Sequence, residues 1–397
     1  MASINDRDAP KVHLYAEHLQ NIRTLSIQAS LATVSNAETK ATLSADYDYL
    51  TLEHEGESAN IRLPISLGSH NDATLTIPAA PTKDLSFRLN LEEKSGQSSL
   101  LGRGAPDSEN VIPWMASGLI SETALSCSAC QTEIVHRGQI RQWRDLPSEG
   151  WAEMMDFWHC HKPDESHVHS GEASNTGRGF ASNSKLIALQ AVGLVGPMDF
   201  LLSTTDCTNL EASTSLFPSM LVCTGCKTCL GIFDSSAQGN KLRKSALSVS
   251  TSSSSQTLRL PLEKWLSSAL LTAAESQGVR RLVVYAASAE SELPKHVMRL
   301  WIFAPDLSVS SSAADSPEAT RVVKVLYRDG VPADVAKSGS MGGSEGELEF
   351  SQAEWHELRR LLDNSAGLLP EKARSFQQWS VALLKRFVQE DIESHGS

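Results

Sequence analysis

The chain has 397 residues, 41% of them hydrophobic, with a formal charge of -12 at neutral pH and seven cysteines. That length supports a sizeable core and two or three domains, and the spread negative charge with no basic stripe argues against direct nucleic-acid binding through phosphate neutralisation. No apolar run reaches the roughly 20 residues a membrane helix needs. The polar stretch Met1 to Pro10 is unlike a targeting peptide, which predicts a protein of the cytoplasm and nucleus with no membrane partner. An odd cysteine number in a reducing compartment favours metal ligands and spare thiols over a disulfide framework.

Residues 1–121 read as a β-rich N-terminal domain. Leu25, Ile27, Ala29 and Leu31 alternate with small polar residues, and Tyr49 to Glu53, Ala59 to Ile65 and Leu85 to Leu91 repeat the pattern between turn residues. Short alternating runs of this kind predict an antiparallel sandwich or barrel. Lys94 to Asn110 reads as a loop.

Residues 122–233 form a central region framed by two C-x-x-C pairs, Cys127 with Cys130 and Cys223 with Cys226. Two such knuckles offer four thiolates to one tetrahedral ion, so the spacing predicts a closed, structural Zn²⁺ site. Gly225 and Gly231 suit the tight turns a knuckle requires. The alternatives are a site in which Cys160 or a nearby histidine replaces one thiolate, and a set of unmetalled thiols. Cys207 and Cys229 read as packed or spare thiols.

Between the knuckles runs W-R-D-L-P-S-E-G-W-A-E-M-M-D-F-W-H-C-H, Trp143 to His161. Ser148 is a natural N-cap, and Trp151, Met154, Met155 and Trp158 stack on one face of the helix that follows. That helix ends in Cys160, a thiol flanked by His159 and His161. Cys160 is therefore the candidate functional thiol, against the alternative of a buried core residue. Trp151, Trp158, Pro163 and Asp164 are candidate partner-binding residues. His167 and His169 follow in a polar loop better read as solvated surface than as a second metal site. Leu186 to Leu202 reads as one or two buried strands.

Residues 234–259 are serine-rich, carry the cationic cluster Lys241, Arg243 and Lys244, and read as a flexible loop or a hairpin with a mobile tip. Residues 260–397 read as an α+β module. Trp265, Leu266, Ala269, Leu270 and Ala273 mark a helix ending at Gly278, Leu282 to Tyr285 a strand, and Met298 to Phe303 and Arg321 to Tyr327 two more, with a serine-rich loop between the last two. Pro332 to Gly346 reads as a linker. Ser351 and Glu354 form a capping box ahead of Trp355, Leu358, Leu361 and Leu362, and Pro370 is expected to open a last helix through Phe376, Trp379, Leu383, Leu384 and Phe387. The fold class is α+β, mainly β: an N-terminal sandwich or barrel, a zinc-knuckle central region, and an α+β module with C-terminal helices.

The succession C-S-A-C, L-P-S-E-G-W, W-H-C-H, C-T-G-C-K-T-C-L-G and the W-I-F and V-L-Y-R strands resembles the E2-binding, HECT-like ubiquitin ligase family, most specifically between Cys127 and Gly231. The resemblance implies binding to a ubiquitin-conjugating enzyme (E2) and a role as an E3 ligase, or as a scaffold for one. It also implies a link to the machinery that cuts pre-mRNA 3′ ends, through its metallo-β-lactamase-type endonuclease. On the ligase reading Cys160 accepts ubiquitin as a thioester, with His159 and His161 lowering its pKa and serving as base. No cysteine follows Cys229, so the HECT-like tail itself holds no catalytic thiol, and a thioester would have to form on Cys160, Cys207 or Cys229. On the alternative reading the protein is a non-catalytic assembly factor or inhibitor that inserts Cys160 at the endonuclease's zinc site.

Overall fold

The computed structural model describes residues 12–67, 75–91, 110–146, 186–213, 219–251, 259–286, 294–332, 334–335 and 344–393. The chain forms two compact units, Met1–Val111 with Leu266–Val388, and Ile112–Trp265 with Gln389–Ser397. The first unit therefore draws on both ends of the sequence.

The first unit begins as a β-hairpin of β1 (Val12–Leu19) and β2 (Thr24–Leu31), registered from Val12 opposite Leu31 to Leu19 opposite Thr24. Three short strands, β3 (Lys40–Leu43), β4 (Tyr49–His54) and β5 (Glu57–Arg62), make a separate antiparallel sheet. Glu55 and Gly56, both at positive φ, close β4 onto β5 with the tight turn that matches strand twist. β6 (Asp84–Asn90) then returns to pair with β2. Leu14, Ala16, Leu25, Ile27, Leu85 and Phe87 share one buried cluster with Leu50, Leu52 and Ile61 of the smaller sheet, the sandwich that the alternation predicts.

The second unit holds two sheets. β7 (Ala124–Cys127), β8 (Glu133–Val135), β9 (Gln142–Asp145), β10 (Val192–Val195), β11 (Asp199–Ser203), β12 (Leu210–Ala212), β13 (Met220–Cys223), β14 (Cys229–Asp234), β15 (Gly239–Arg243) and β16 (Leu247–Ser250) follow in order. The larger sheet runs β12-β13-β14-β15-β11-β10-β9 and the smaller β16-β7-β8. Residues 234–250, expected as a loop or a hairpin, are mostly strand, and β14 and β15 close as a hairpin at Asp234 and Gly239. The Asp234 carboxylate accepts the amides of Ser236 and Ala237 to make the turn, and Gln238 takes a positive φ. Serine is tolerated in β16 because its hydroxyls are used: Arg137 donates to Ser250 Oγ at 2.6 Å, and Gln131 donates to Ser248 Oγ at 3.3 Å.

Lys244, one of the three cations noted in this segment, is fully buried. Its Nζ donates to the Pro113 carbonyl at 3.1 Å and lies 5.3 Å from the centre of the Phe200 ring. Burial lowers its pKa to about 7, against the opposing pull of Asp199 and Asp145. An unfolded lysine titrates at about 10.4, so between about pH 7 and that value the unfolded chain binds the extra proton, and stability of this unit should rise with pH. In Lys244→Met that part of the slope should vanish, as urea midpoints at about pH 7.5 and about pH 9 would show.

The chain then rejoins the first unit. It adds α1 (Leu262–Ser276), β17 (Arg281–Ala286), β18 (Val297–Ser311), β19 (Thr320–Asp329), β20 (Gly346–Phe350), α2 (Gln352–Ser365), β21 (Ser375–Phe376) and β22 (Trp379–Lys385). The capping box at Ser351 and Glu354 opens α2 as expected, and its Trp355, Leu358 and Leu362 are buried. Two expectations fail here. The segment Ser308–Ser311 is strand rather than loop, because β18 continues past Pro305 and its far end pairs with β1, Tyr15 opposite Ser311 and His18 opposite Ser308. The segment after Pro370 is a hairpin rather than a helix: Gln377 takes a positive φ, Phe376 faces Trp379, and β22 pairs along β19 from Ser380–Tyr327 to Lys385–Val322. The result is one nine-stranded sheet, β21-β22-β19-β18-β1-β2-β6, with β17 also on β18 and β20 on β17. The N-terminal sandwich and the C-terminal α+β module thus share a sheet.

Candidate metal centre

The two knuckles are brought together by the ends of two hairpins. Cys127 closes β7 and Cys130 lies in the turn to β8; Cys223 closes β13 and Cys226 lies in the turn to β14. The local backbone is the same at both. The amide of Cys127 donates to the Thr132 carbonyl and that of Gln131 to the Cys127 carbonyl; the amide of Cys223 donates to Thr228 and that of Lys227 to Cys223. Gln131 and Lys227 both sit in the left-handed region, at φ 63° and 61°. The hairpins are tied to each other: the Thr208 amide donates to the Ile134 carbonyl, Asn209 Nδ2 to the Glu133 carbonyl at 2.8 Å, and the Thr224 amide to the Asn209 carbonyl.

This arrangement converges four sulfurs. Cys127 Sγ lies 3.6 Å from Cys226 Sγ, Cys130 Sγ lies 3.6 Å from Cys223 Sγ, and all four atoms fall within 4.8 Å of one another. A tetrahedron with Zn–S bonds of about 2.3 Å has edges of about 3.8 Å, so the donor set fits one such ion with little adjustment. No disulfide joins these cysteines.

The electrostatics ask for a cation. Burial pushes the Cys127 thiol up to about 12, whereas the Thr132 hydroxyl and amide pull Cys130 down to about 6. The Thr228 hydroxyl likewise lowers Cys226. Four thiols held this close cannot all ionise beside one another without a positive charge, and a divalent ion reverses the penalty by holding each as thiolate. The Cys127 and Cys223 side chains are fully buried, and Cys130 lies at the surface. An ion held by all four sulfurs would have no open position for a substrate.

Thr132 and Thr228 are functional positions that the C-x-x-C reading passed over. Thr132 Oγ1 lies 3.1 Å from Cys130 Sγ, and Thr228 Oγ1 lies 3.2 Å from Cys226 Sγ. The signal was present as a doubled C-x-x-C-x-T, in C-S-A-C-Q-T and C-T-G-C-K-T. Gly225 is needed at the centre itself, since a Cβ there would stand 2.7 Å from Thr132 Oγ1 and 3.5 Å from Cys130 Sγ. Gly231 serves a different purpose from the one expected. It lies in β14, where a Cβ would meet the Lys241 carbonyl of β15 at 2.0 Å. Cys207 and Cys229 stand apart from the cluster, and burial pushes Cys207 up to about 11. Trp151, Trp158, His159, Cys160, His161, Pro163 and Asp164 lie outside the described residues, as does the helix expected after Ser148.

The sequence matches the family described as HECT-like ubiquitin-conjugating enzyme (E2)-binding over residues 17–381. An uncharacterised protein of Saccharomyces cerevisiae is 26% identical over 333 residues, covering 83% of this chain and 87% of that one. An uncharacterised protein of Schizosaccharomyces pombe is 24% identical over 297 residues, covering 70% of this chain and 78% of that one. No solved structure gives a significant match.

Proposed function

The chain belongs to the HECT-like family of E2-binding proteins, and from that premise we propose that it binds an E2 and promotes ubiquitin transfer from it. The family match carries this reading, because it runs through both compact units and so concerns the whole fold rather than a shared metal knuckle. Within it, Cys127, Cys130, Cys223 and Cys226 hold one structural Zn²⁺, which fastens the β7–β8 and β13–β14 hairpins together.

The thiol inventory narrows the chemistry. Four cysteines are taken up by the metal centre, and Cys207 is held protonated by burial. Cys229 is half-buried in β14, and no cysteine follows it. Cys160 with His159 and His161 is accordingly the acceptor in the ligase reading. Its thiolate attacks the thioester carbonyl that joins ubiquitin to the E2 cysteine, the E2 thiolate leaves, and the new thioester is passed on to an amine. If Cys160 takes no such part, the protein acts as a scaffold that positions the charged E2.

Incubating charged E2 with wild type and with Cys160→Ala, side by side with zinc measurement, tests this. The expected result is a thiol-labile ubiquitin adduct on the wild type that is absent from the variant, with one zinc per chain in both. Faster discharge of E2 by both proteins without an adduct would leave the scaffold and remove the covalent step. Failure of either protein to bind charged E2 would overturn the reading, and loss of zinc with Cys160 would make that residue part of the metal centre.

A further inference from the structure

One face of the nine-stranded sheet carries a row of aromatic and guanidinium groups. Directly opposed residues of antiparallel strands share a face, and pairing sets Arg281 of β17 against Trp301 of β18, Trp301 against Leu326 of β19, and Leu326 against Val381 of β22. Next to that row, Trp379 of β22 is paired with Phe376 of β21. The rings touch edge to face: Trp301 and Phe303 at 5.6 Å between centres, Trp301 and Trp379 at 6.3 Å. The Arg281 guanidinium lies 5.1 Å from the Trp301 ring and that of Arg328 4.5 Å from Trp379. Phe303 is 49% exposed and Phe376 47%.

Two features set this face apart from a merely solvated surface. Tryptophan and arginine dominate binding hot spots, and here the rings hold the guanidiniums in place before anything binds, which removes part of the entropy cost of association. Second, no carboxylate among the described residues takes up the charge on those guanidiniums. Arg299, Arg321, Arg359 and Arg386 of the same unit each hold a carboxylate. Arg281 and Arg328 hold none among the described residues. A cation–π contact of this kind consumes no N–H hydrogen bond with a carboxylate, so the guanidinium fork can still take one.

We propose that this face docks an extended acidic segment of a partner protein, its carboxylates on Arg281 and Arg328 and an apolar side chain against Phe303 and Phe376. Charge complementarity selects the occupant. A chain of net charge -12 repels acidic peptides everywhere except where cations are left unpaired, so the attraction is local and specific. The same net charge disfavours a nucleic acid, whose phosphate backbone needs many more cations than these two.

The test is selection of displayed random peptides on the immobilised full chain, followed by titration of a synthetic selected peptide. The selected pool should be enriched in Asp and Glu with interspersed apolar residues, and binding should weaken as salt rises. The double variant Arg281→Gln, Arg328→Gln should weaken binding by about tenfold or more, and Phe376→Ser should weaken it independently, with unchanged melting temperatures in both. A pool without acidic enrichment, or equal affinity for the double variant, would overturn the proposal. So would tighter binding of an oligothymidine strand that the same double variant abolishes. The selection contains no E2, so its failure leaves the ubiquitin reading untouched.

Discussion

Cys223→Ala is expected to abolish zinc binding at the four-cysteine centre and to unfold the Ile112–Trp265 unit at a temperature where the unit containing the nine-stranded sheet stays folded. Cys223 is the most consequential of the four sulfurs to remove. It is fully buried, its Sγ lies 3.6 Å from Cys130 Sγ, and its backbone pairs with Leu210 while fixing the knuckle through Thr228. Structural zinc in small modules supplies an apparent 10–16 kcal/mol or so, which is as large as the net stability of an ordinary domain, about 5–15 kcal/mol. The size of the effect follows from what else holds the hairpins. β7, β8 and β16 make a sheet of only three short strands, and the core cluster beside them already contains Cys127 and Cys223 themselves. Metal content and hydrogen exchange, measured on wild type, Cys223→Ala and Cys207→Ala, decide the matter. Cys207 lies outside the cluster and should retain one zinc per chain with near-normal protection of β7 and β13. A Cys223 variant with full metal and unchanged protection would show that the four thiols are not a zinc centre.

How much of this could be read in the sequence differs sharply between the site and the fold. The clustering of the four cysteines was legible because a knuckle is local: a C-x-x-C turn needs few residues, and its two copies need only be recognised as a pair. The doubled threonine at the second position after each pair was equally local, and was hidden only because hydroxyl bonds to sulfur are not part of the usual spacing rule. The N-terminal sandwich was legible because β4 and β5 have one wet face and alternate accordingly. What failed was β22, a strand buried on both sides, where Val381 and Leu383 join one core cluster while Ala382 and Leu384 are buried as well. Such a run has no period of two, so that Trp379, Leu383, Leu384 and Phe387 fit a helix equally well. The pairing of β1 with β18 joins residues about 300 positions apart, and no local pattern announces it.

The pairing of β1 with β18 also explains where the second large effect should fall. Asp306→Ala is expected to cost the first unit about 3–5 kcal/mol, because it leaves buried cations without their anion. Arg321 of β19 grips Asp306 with two parallel bonds, Nε to Oδ1 at 2.6 Å and Nη2 to Oδ2 at 2.8 Å. Arg386, just past β22, approaches Oδ1 at 3.0 Å and donates to the Pro305 carbonyl at 2.7 Å. The side chain of Arg386 is 2% exposed and that of Asp306 8%, so water cannot take over when the carboxylate goes. Arg321, at 17%, has more room to turn outward, which makes Arg386 the costly orphan. A urea titration should therefore show a lower midpoint for Asp306→Ala, and the double variant Asp306→Leu, Arg386→Met should recover a large part of the loss, since apolar replacements of a buried pair are often near neutral. A single-variant cost below about 1 kcal/mol would place the triad among the weak surface pairs instead. The position makes the loss more than local. Asp306 sits where the register of β18 shifts, between Ala304 and Leu307, the half of the strand before it bonding to β17 and the half after it bonding to β1. Anchoring that irregular stretch to β19 and to the end of β22 is what lets one strand serve both ends of the chain, so weakening it should lower the protection of the β1–β18 pairs before that of the β18–β19 pairs near Trp301.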